Sequence, residues 1–344
     1  MKRTAIITAI FIIFMSANLF PEKIAKFSDI YKPSMMEISN GEIYILDSFT
    51  VKAYSLEDYR FLREFGKKGE GPGELQSTSD TGATMIVKGE NIYLNSVYKI
   101  IVYDKTGKII KEKKFRTYLV EAVPIDAGYV LTFYKWIDAT AHAITMLSDR
   151  NFQEKKELYK ARLPQSHKIK KISIPPFCTY ARTSKYKIFL FDQQKDVIKI
   201  FDKKGNPKPD ITFGYDKIIT TKGFKHKVMD YILSRPELKK IPEDIKQKYL
   251  KRVYTPNVLP VFKNSWITDN RIYIHTYREK QNKSEFLILN KSGKVESKLY
   301  LPGSTKLNLR INPASTFTFY KGKYYYLKEN LDREEWELHV MRLK

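Results

Sequence analysis

The sequence of 344 residues holds a single cysteine, Cys178, so no disulfide can form within the chain. Cys178 follows Pro175-Pro176-Phe177, an apolar context that suits a small buried hydrophobe better than a nucleophile. Five scattered histidines (142, 167, 226, 275 and 339) supply neither a His-Glu-x-x-His helix nor, without a second cysteine, any familiar zinc spacing. There is no Gly-x-Ser-x-Gly elbow and no Gly-Lys-Ser/Thr phosphate loop, which leaves out hydrolases and nucleotide hydrolases of those designs. The adjacent acids Glu243-Asp244 and Glu334-Glu335 do not suggest acid–base geometry. Acidic residues are in short supply, 38 against 62 Lys and Arg, leaving a formal charge of +24. Such a surplus suits anionic partners, whether nucleic acid, lipid headgroups or acidic glycans, and it also suits a lysine-rich surface with no single target.

Long apolar runs are missing too, apart from Thr4–Met15. That run is short for a membrane span. With Lys2 and Arg3 before it and Ser16-Ala17-Asn18 after it, residues 1–20 read as an export signal, with an uncleaved anchor as the alternative. No cysteine lies nearby, which excludes a lipoprotein signal. The expectation is an extracytoplasmic protein, periplasmic or secreted, or membrane-anchored if the signal stays. Residues 21–344 then form one domain, expected to be a monomer with no transmembrane segment after cleavage. Export makes nucleic acid a poor partner.

What is abundant is aromatic: 24 Tyr and 20 Phe, a bias that favours strands. From Pro33 onward short strand-like runs alternate with turn signals. One module holds Ser34–Ile38, Glu42–Leu46, Val51–Ser55 and Arg60–Phe65, with the hairpin signal Asn40-Gly41 inside it. A second holds Ala83–Val87, Asn91–Asn95, Ile100–Asp104 and Lys108–Phe115. Between them runs Phe65-Gly-Lys-Lys-Gly-Glu-Gly-Pro-Gly-Glu-Leu75, in which Gly66, Gly69, Gly71 and Gly73 admit unusual backbone angles and Pro72 blocks helix. We read Gly66 to Glu74 as a crossing between two blades of a propeller. A nest of backbone N–H groups for an anion is the functional alternative.

A turn recurs along the chain. It is Asp104-Lys-Thr-Gly107, Asp202-Lys-Lys-Gly205 and Asn290-Lys-Ser-Gly293, with weaker copies at Ser55–Asp58 and Ser148–Asn151. The Asp or Asn starts the turn and Gly takes the left-handed position. From Ser55 the steps to Asp104, Asp149 and Asp202 are 49, 45 and 53 residues, the period of propeller blades. The next step, to Asn290, is 88 residues and must contain an insertion. Residues 217–252 fit it: Lys222–Ser234 and Pro242–Arg252 read as helices, with Val228, Tyr231 and Ile232 on one face and Ile245, Tyr249 and Leu250 on another. Strands resume at Ser265–Thr268, Arg271–Tyr277, Glu285–Asn290 and Val295–Leu301, then Ser315–Tyr320, Lys323–Lys328 and Glu335–Met341. Glu22–Phe27 is expected to complete the last module, closing the ring with both chain ends.

Ile45-Leu46-Asp47-Ser48, the Asp/Gly turn and Phe-Gly-x-x-Gly-x-Gly-Pro-Gly-Glu-Leu together resemble the bacterial six-bladed β-propeller family related to NHL repeats. The match is specific over about a third of the chain. The 217–252 insertion departs from it. The resemblance implies an exported six-bladed propeller, whose better-known relatives bind proteins or RNA and of which a few are metal-dependent lyases or lactonases. The expected architecture is therefore all-β, a six-bladed propeller with a small helical insertion between blades four and five.

In such a ring the links from outer to next inner strand share a face with the loops between strands two and three. That face collects Lys67, Lys68, Arg116, Arg162, His167, Lys168, Lys170, Arg278, Lys306 and Arg310, together with the insertion, which carries eleven Lys/Arg against four acids. Aromatic residues flank these loops: Tyr134, Trp136, Trp266, Tyr277 and Tyr320. Cations beside rings suit an anionic glycan, a peptide or a protein surface, and the same rings suit blade packing. A calcium-dependent lactonase- or lyase-like propeller is the alternative: Asp47, Asn95 and Asp192 hold comparable blade positions and could be oxygen ligands, or could cap hairpin turns. Binding without a cofactor is the expectation, and the lid role of the insertion follows from its place on the same face.

Overall fold

The computed structural model describes residues 21–76, 83–166, 172–234, 236–303 and 315–343. The short apolar runs pair as antiparallel four-stranded sheets, six of them among the described residues. In chain order, blade one is Pro33–Ser39, Glu42–Asp47, Thr50–Ser55 and Phe61–Phe65, and blade two is Thr84–Lys88, Asn91–Ser96, Lys99–Asp104 and Ile109–Lys114. Blade three is Tyr118–Ile125, Gly128–Ile137, Thr140–Asp149 and Glu154–Ser166, and blade four is Thr179–Thr183, Lys187–Asp192, Val197–Asp202 and Pro207–Thr212. Blade five is Asn264–Thr268, Arg271–Lys280, Lys283–Asn290 and Val295–Leu301. Blade six is Phe317–Tyr320, Lys323–Asn330 and Glu335–Arg342, completed by Glu22–Phe27, which pairs antiparallel with Glu335–Arg342. Ring closure by both chain ends is thus as the sequence predicts.

The second and third strands of each blade lie between two neighbouring sheets, so both of their faces are apolar. Ile43, Tyr44, Ile45 and Leu46 are all buried, and adjacent residues feed two different inter-blade cores: Tyr44 and Leu46 pack toward blade two, Ile43 and Ile45 toward blade six. Outer strands such as Pro207–Thr212 are mostly solvent-exposed and read as polar.

The recurring turn is one structure in several blades. The Oδ1 atoms of Asp104, Asp202 and Asn290 each accept backbone N–H groups two and four residues on, at 2.9–3.0 Å. Asp149 does the same toward Asn151 and Gln153, although its copy lacks glycine, and Phe152 takes the left-handed place at φ 61°. The Phe152 ring stacks on Tyr129 at 4.1 Å, packing that offsets the strain of a non-glycine residue there. At Gly293 (φ 89°) a Cβ would come within 2.1 Å of Ile211 in the outer strand of blade four, so close blade packing as well as backbone angle demands glycine.

The insertion lies between blades four and five. Helix α1 (Lys222–Ser234) has the predicted bounds, a short α2 (Pro236–Lys239) is additional, and α3 is Glu243–Leu250, with Pro242 just before it. Val228 and Ile232 are buried, as their spacing predicts, with Tyr231 partly so. Ile245 departs from expectation: it is 50% exposed, and only Tyr249 and Leu250 of its set pack inward. These residues pack on Ile174 from the blade three-to-four link, and Ile172–Ser173 pairs in parallel with Val253–Tyr254. The insertion is therefore stitched to a second inter-blade link. Cys178 is fully buried, and burial pushes its thiol far up, as suits an inert hydrophobe. Among the described residues no helix is long and apolar enough to cross a membrane.

Candidate functional site

Three of the predicted residues, Arg116, Tyr134 and Trp136, meet. Arg116 leaves the outer strand of blade two, and Trp136 ends the second strand of blade three. Both line one cleft of about 610 Å³, with Tyr98, Thr117, Tyr118, Tyr134, Lys135 and Ile137. That volume is in the usual range for a ligand site. The strand register explains the gathering. Tyr118 pairs with Tyr134, which puts both rings on one face of blade three, and Trp136 follows two residues on along the same face. The rings run in sequence: Tyr98 to Tyr118 at 6.1 Å, Tyr118 to Tyr134 at 5.9 Å, Tyr134 to Trp136 at 5.7 Å, all steeply inclined to one another. The two ends of this run, Tyr98 and Trp136, are 40% and 41% exposed. Burial raises the Tyr134 hydroxyl well above its ordinary range, so it stays a neutral donor.

The charges are one-sided. Arg116 makes no ion pair or hydrogen bond among the described residues, and Lys135 lies only over the Phe133 ring at 5.1 Å. Among the described residues no Asp or Glu lines the cleft. Sequence reasoning named Arg116, Trp136 and Tyr134 but not Tyr98, Tyr118 or Lys135. Register from blade two to blade three was the signal that would have added them.

Other candidates go elsewhere. Lys67 is paired with Glu74 at 2.8 Å. Glu74 also accepts the Gly71 N–H at 2.9 Å, Glu112 accepts the Gly73 N–H at 2.6 Å, and Gly69 donates to the Leu75 carbonyl. The Gly-rich link thus fills its own N–H groups with carboxylates, and Lys99 reaches the Gly71 and Glu74 carbonyls at 3.0 and 2.8 Å. It is a clamped crossing, not a nest left open for an anion. Gly66 (φ 84°) and Gly73 (φ 72°) take the predicted left-handed angles in it, and Pro72 lies between Gly71 and Gly73. Lys68 and Arg162 are exposed on the surface.

Trp266 packs on Phe317, Phe319 and Phe286 between blades five and six, so its ring serves the core. Tyr277 lies under Lys263 (5.3 Å) and beside Phe224 of α1 (6.4 Å). The Arg278 guanidinium covers Tyr215 at 4.7 Å and faces Asp216 at 3.9 Å. These three residues belong to blade five and do not join the cleft. His167, Lys168, Lys170, Lys306 and Arg310 lie outside the described residues.

Asp47, Asn95 and Asp192 are buried; Asp47 and Asp192 end the second strands of blades one and four, and Asn95 lies one place before the end of that of blade two. Asp47 accepts the N–H groups of Tyr31 and Lys32 at 3.1 and 2.6 Å, holding the link from blade six. Asp192 accepts from Gln194 N–H (2.9 Å) and Tyr159 hydroxyl (2.7 Å), a turn cap. The Asn95 amide has no hydrogen-bond partner among the described residues. No three His, Cys, Asp or Glu side chains among the described residues could share a metal ion.

Charged residues also meet on the axis of the ring, which the sequence did not suggest. Arg182, on the inner strand of blade four, donates to Glu121 of blade three at 3.1 Å, to Asn264 Oδ1 of blade five at 2.8 Å and to the Ser265 carbonyl at 2.7 Å. Asn264 passes on to Ser315 Oγ, before the inner strand of blade six, at 3.1 Å. Glu37 of blade one, opposite blade four in a ring of six, feels the Arg182 charge. The available signal was a charged residue inside an otherwise apolar inner strand.

Comparison with known proteins agrees with this fold. A family model described as a 6-bladed beta-propeller matches residues 27–231, more than half of the chain. A crystal structure from Bacteroides fragilis, described as a "Putative exported protein", is similar at 13% identity and a TM-score of 0.55, with 95% of each chain covered. A member of the DUF4221 family from Bacteroides vulgatus is similar at 11% identity and a TM-score of 0.52, covering 94% of this chain and 99% of that one. At such identities the likeness is one of fold. No match among curated proteins is found.

Proposed function

Since the chain belongs to the DUF5128 family of six-bladed beta-propellers, we propose that it is an exported binding module that takes an anionic glycan in the cleft between blades two and three. The observation that carries this reading is the cleft itself: Arg116 and Lys135, with no acid among the described lining residues, beside Tyr98, Tyr134 and Trp136. A sugar offers apolar C–H faces to rings and hydroxyls to phenols. A carboxylate or sulfate on it answers the cations. The N-terminal segment with the features of an export signal, and the exported description of a fold neighbour, support a ligand met outside the cytoplasm. The Gly66–Glu74 link reads as an inter-blade motif of NHL-like propellers, and its role is structural. The insertion occupies an outer-to-inner strand link, and we read it as a lid that adds partner specificity.

The test is calorimetric titration with a uronic-acid oligosaccharide and with a neutral one of equal length. The acidic sugar should bind, its affinity should fall as salt rises, and Arg116→Ala or Trp136→Ala should each weaken it about tenfold or more. Equal binding of the neutral sugar, or unchanged binding by both variants, would overturn the reading. Tight binding of an acidic peptide in its place would move the ligand class to protein surfaces.

A further inference from the structure

The cations of the cleft do not stop at its rim. Tyr118, the first residue of blade three's inner strand, pairs with Tyr134, so residues 135–137 run on without an inner-strand neighbour. They pair only outward. Lys135 lies opposite His142 of the third strand, and His142 lies opposite Arg162 of the fourth. Opposed residues share a face of the sheet, so a row of two cations with a histidine between them crosses blade three. Lys160, two residues before Arg162 and opposite Ile144, adds a third cation to the same face. On the other face Ala141, Ala143 and Ala161 are buried against blade four. Phe115 packs on Phe133 at 5.6 Å, and Lys135 lies over that same ring, so the next residue, Arg116, enters the cleft at the inner end of the row.

The row is an exception in this ring. In the other blades cations are answered across the strands: Arg63 by Glu42, Lys99 by Glu112, Lys199 by Asp210, Arg271 by Glu296 and Lys26 by Glu335. Blade three answers Lys155 with Asp149, at the opposite end of the sheet. Lys135, Lys160 and Arg162 make no ion pair among the described residues, and the His142 ring meets only the Thr140 carbonyl, at 3.1 Å from Nδ1. Asp138, the acid nearest in sequence, sits in the hairpin turn at φ 47° and makes no ion pair among the described residues either. Lys160 and Arg162 are exposed, and Lys135 and His142 half-buried. Crowding like charges on one sheet face costs stability, and no described carboxylate offsets it here.

We propose, on the strength of the cleft reading above, that this row extends the cleft into a track for a polyanionic glycan, one with a carboxylate or sulfate on successive sugars. Neighbouring strands lie about 4.8 Å apart, so the row runs about 10 Å from the second strand to the fourth, farther than one acidic group spans. A glycan with a single acid would be held by Arg116 and Lys135 and would leave Lys160 and Arg162 unanswered. Arg162 offers a planar fork of donors and Lys160 a compact charge, which suit carboxylate and sulfate alike.

Calorimetric titration with disaccharides and hexasaccharides of galacturonate and of heparin tests this, on the unaltered protein and on the double variant Lys160→Gln with Arg162→Gln. In at least one series the hexasaccharide should bind about tenfold or more tightly than the disaccharide, and lose affinity more steeply as salt rises. The double variant should lower that ratio about threefold or more and flatten the salt dependence of the hexasaccharide. Its melting temperature without ligand should not fall, because the substitutions relieve crowded charge and keep most of each side chain's stem. A hexasaccharide no tighter than its disaccharide in both series, or a ratio and salt dependence unchanged in the double variant, would overturn the track and leave the cleft reading standing. A lower melting temperature of the double variant would mark the row as structural and overturn it too. No binding in either series would overturn both readings. Tighter binding of hexaglutamate than of either hexasaccharide would overturn the glycan track in favour of an acidic peptide.

Discussion

Arg182 of blade four and Glu121 of blade three form an ion pair, 3.1 Å from Nη1 to Oε2, on the axis where the blades converge. Glu121 is almost fully buried, and desolvation raises its carboxyl above the ordinary range even with the guanidinium beside it. Removing the cation alone would strand that charge and orphan three acceptors. We expect Arg182→Met to cost about 3–5 kcal/mol by urea unfolding. The double variant Arg182→Met with Glu121→Leu should recover much of the loss, because no buried charge is then left unpaired. A double variant no more stable than Arg182→Met would contradict this account.

Glu37 gives the pH prediction. Loss of solvent pushes its carboxyl up to about 7 from the usual 4.5, so the folded state disfavours its ionised form. Below pH 4.5 both states are protonated and nothing is lost. As pH rises toward 7 the unfolded chain ionises first, and the penalty is complete above 7. Glu37→Gln should therefore gain stability at pH 8.5, on the order of 2 kcal/mol, and none at pH 4.5. Unfolding midpoints of the two proteins at both pH values check it, and a gain equal at both would refute it.

Two glycines separate backbone strain from blade packing. Gly41 (φ 79°) has open space where a Cβ would be, and Gly293 (φ 89°) does not. Gly41→Ala should cost about 1 kcal/mol, the strain of a left-handed alanine. Gly293→Ala should cost more, about 2–3 kcal/mol, since Ile211 must also move. Equal losses would show that the turn alone decides.

Replacing residues 217–252 by a short Gly/Ser linker should leave a folded propeller, because ring closure runs through blade six. It should also lower the melting temperature, because Ile174 loses its cover of Val228, Ile232 and Leu238. Ile174→Thr should cost about 1–2 kcal/mol in the full chain and almost nothing in the shortened one. Failure of the shortened chain to fold would make the insertion part of the core.

Most of the ring could be read from local signals, because each blade repeats short apolar strands and an Asp-led turn whose hydrogen bonds lie within five residues. Helix α1 was legible for the same reason: Val228 and Ile232 lie on one face. What escaped depends on distant pairing. Arg182 and Asn264 are brought together by the packing of blade four against blade five, and nothing near either residue in sequence announces the other. Trp266 looked like a site residue because aromatic side chains suit both a ligand and a core. Only the neighbouring blade, with Phe317 and Phe319, decides between them. Arg116 and Trp136 could be listed as candidates, but their meeting required the register of Tyr118 on Tyr134.

The pairing of Phe27 with Trp336 has a temporal side. Among the described strands the first finds its partner only when the last exists, so this contact spans a very large sequence separation. During synthesis, and during any passage across a membrane in extended form, blades one to five can form in order while Glu22–Phe27 waits without a neighbour. Folding thus ends with a long-range search, a slow step by topology. Until then blade six lacks its outer strand, and only the contacts among blades one to five, such as Arg182 with Glu121 and Asn264, can already be in place.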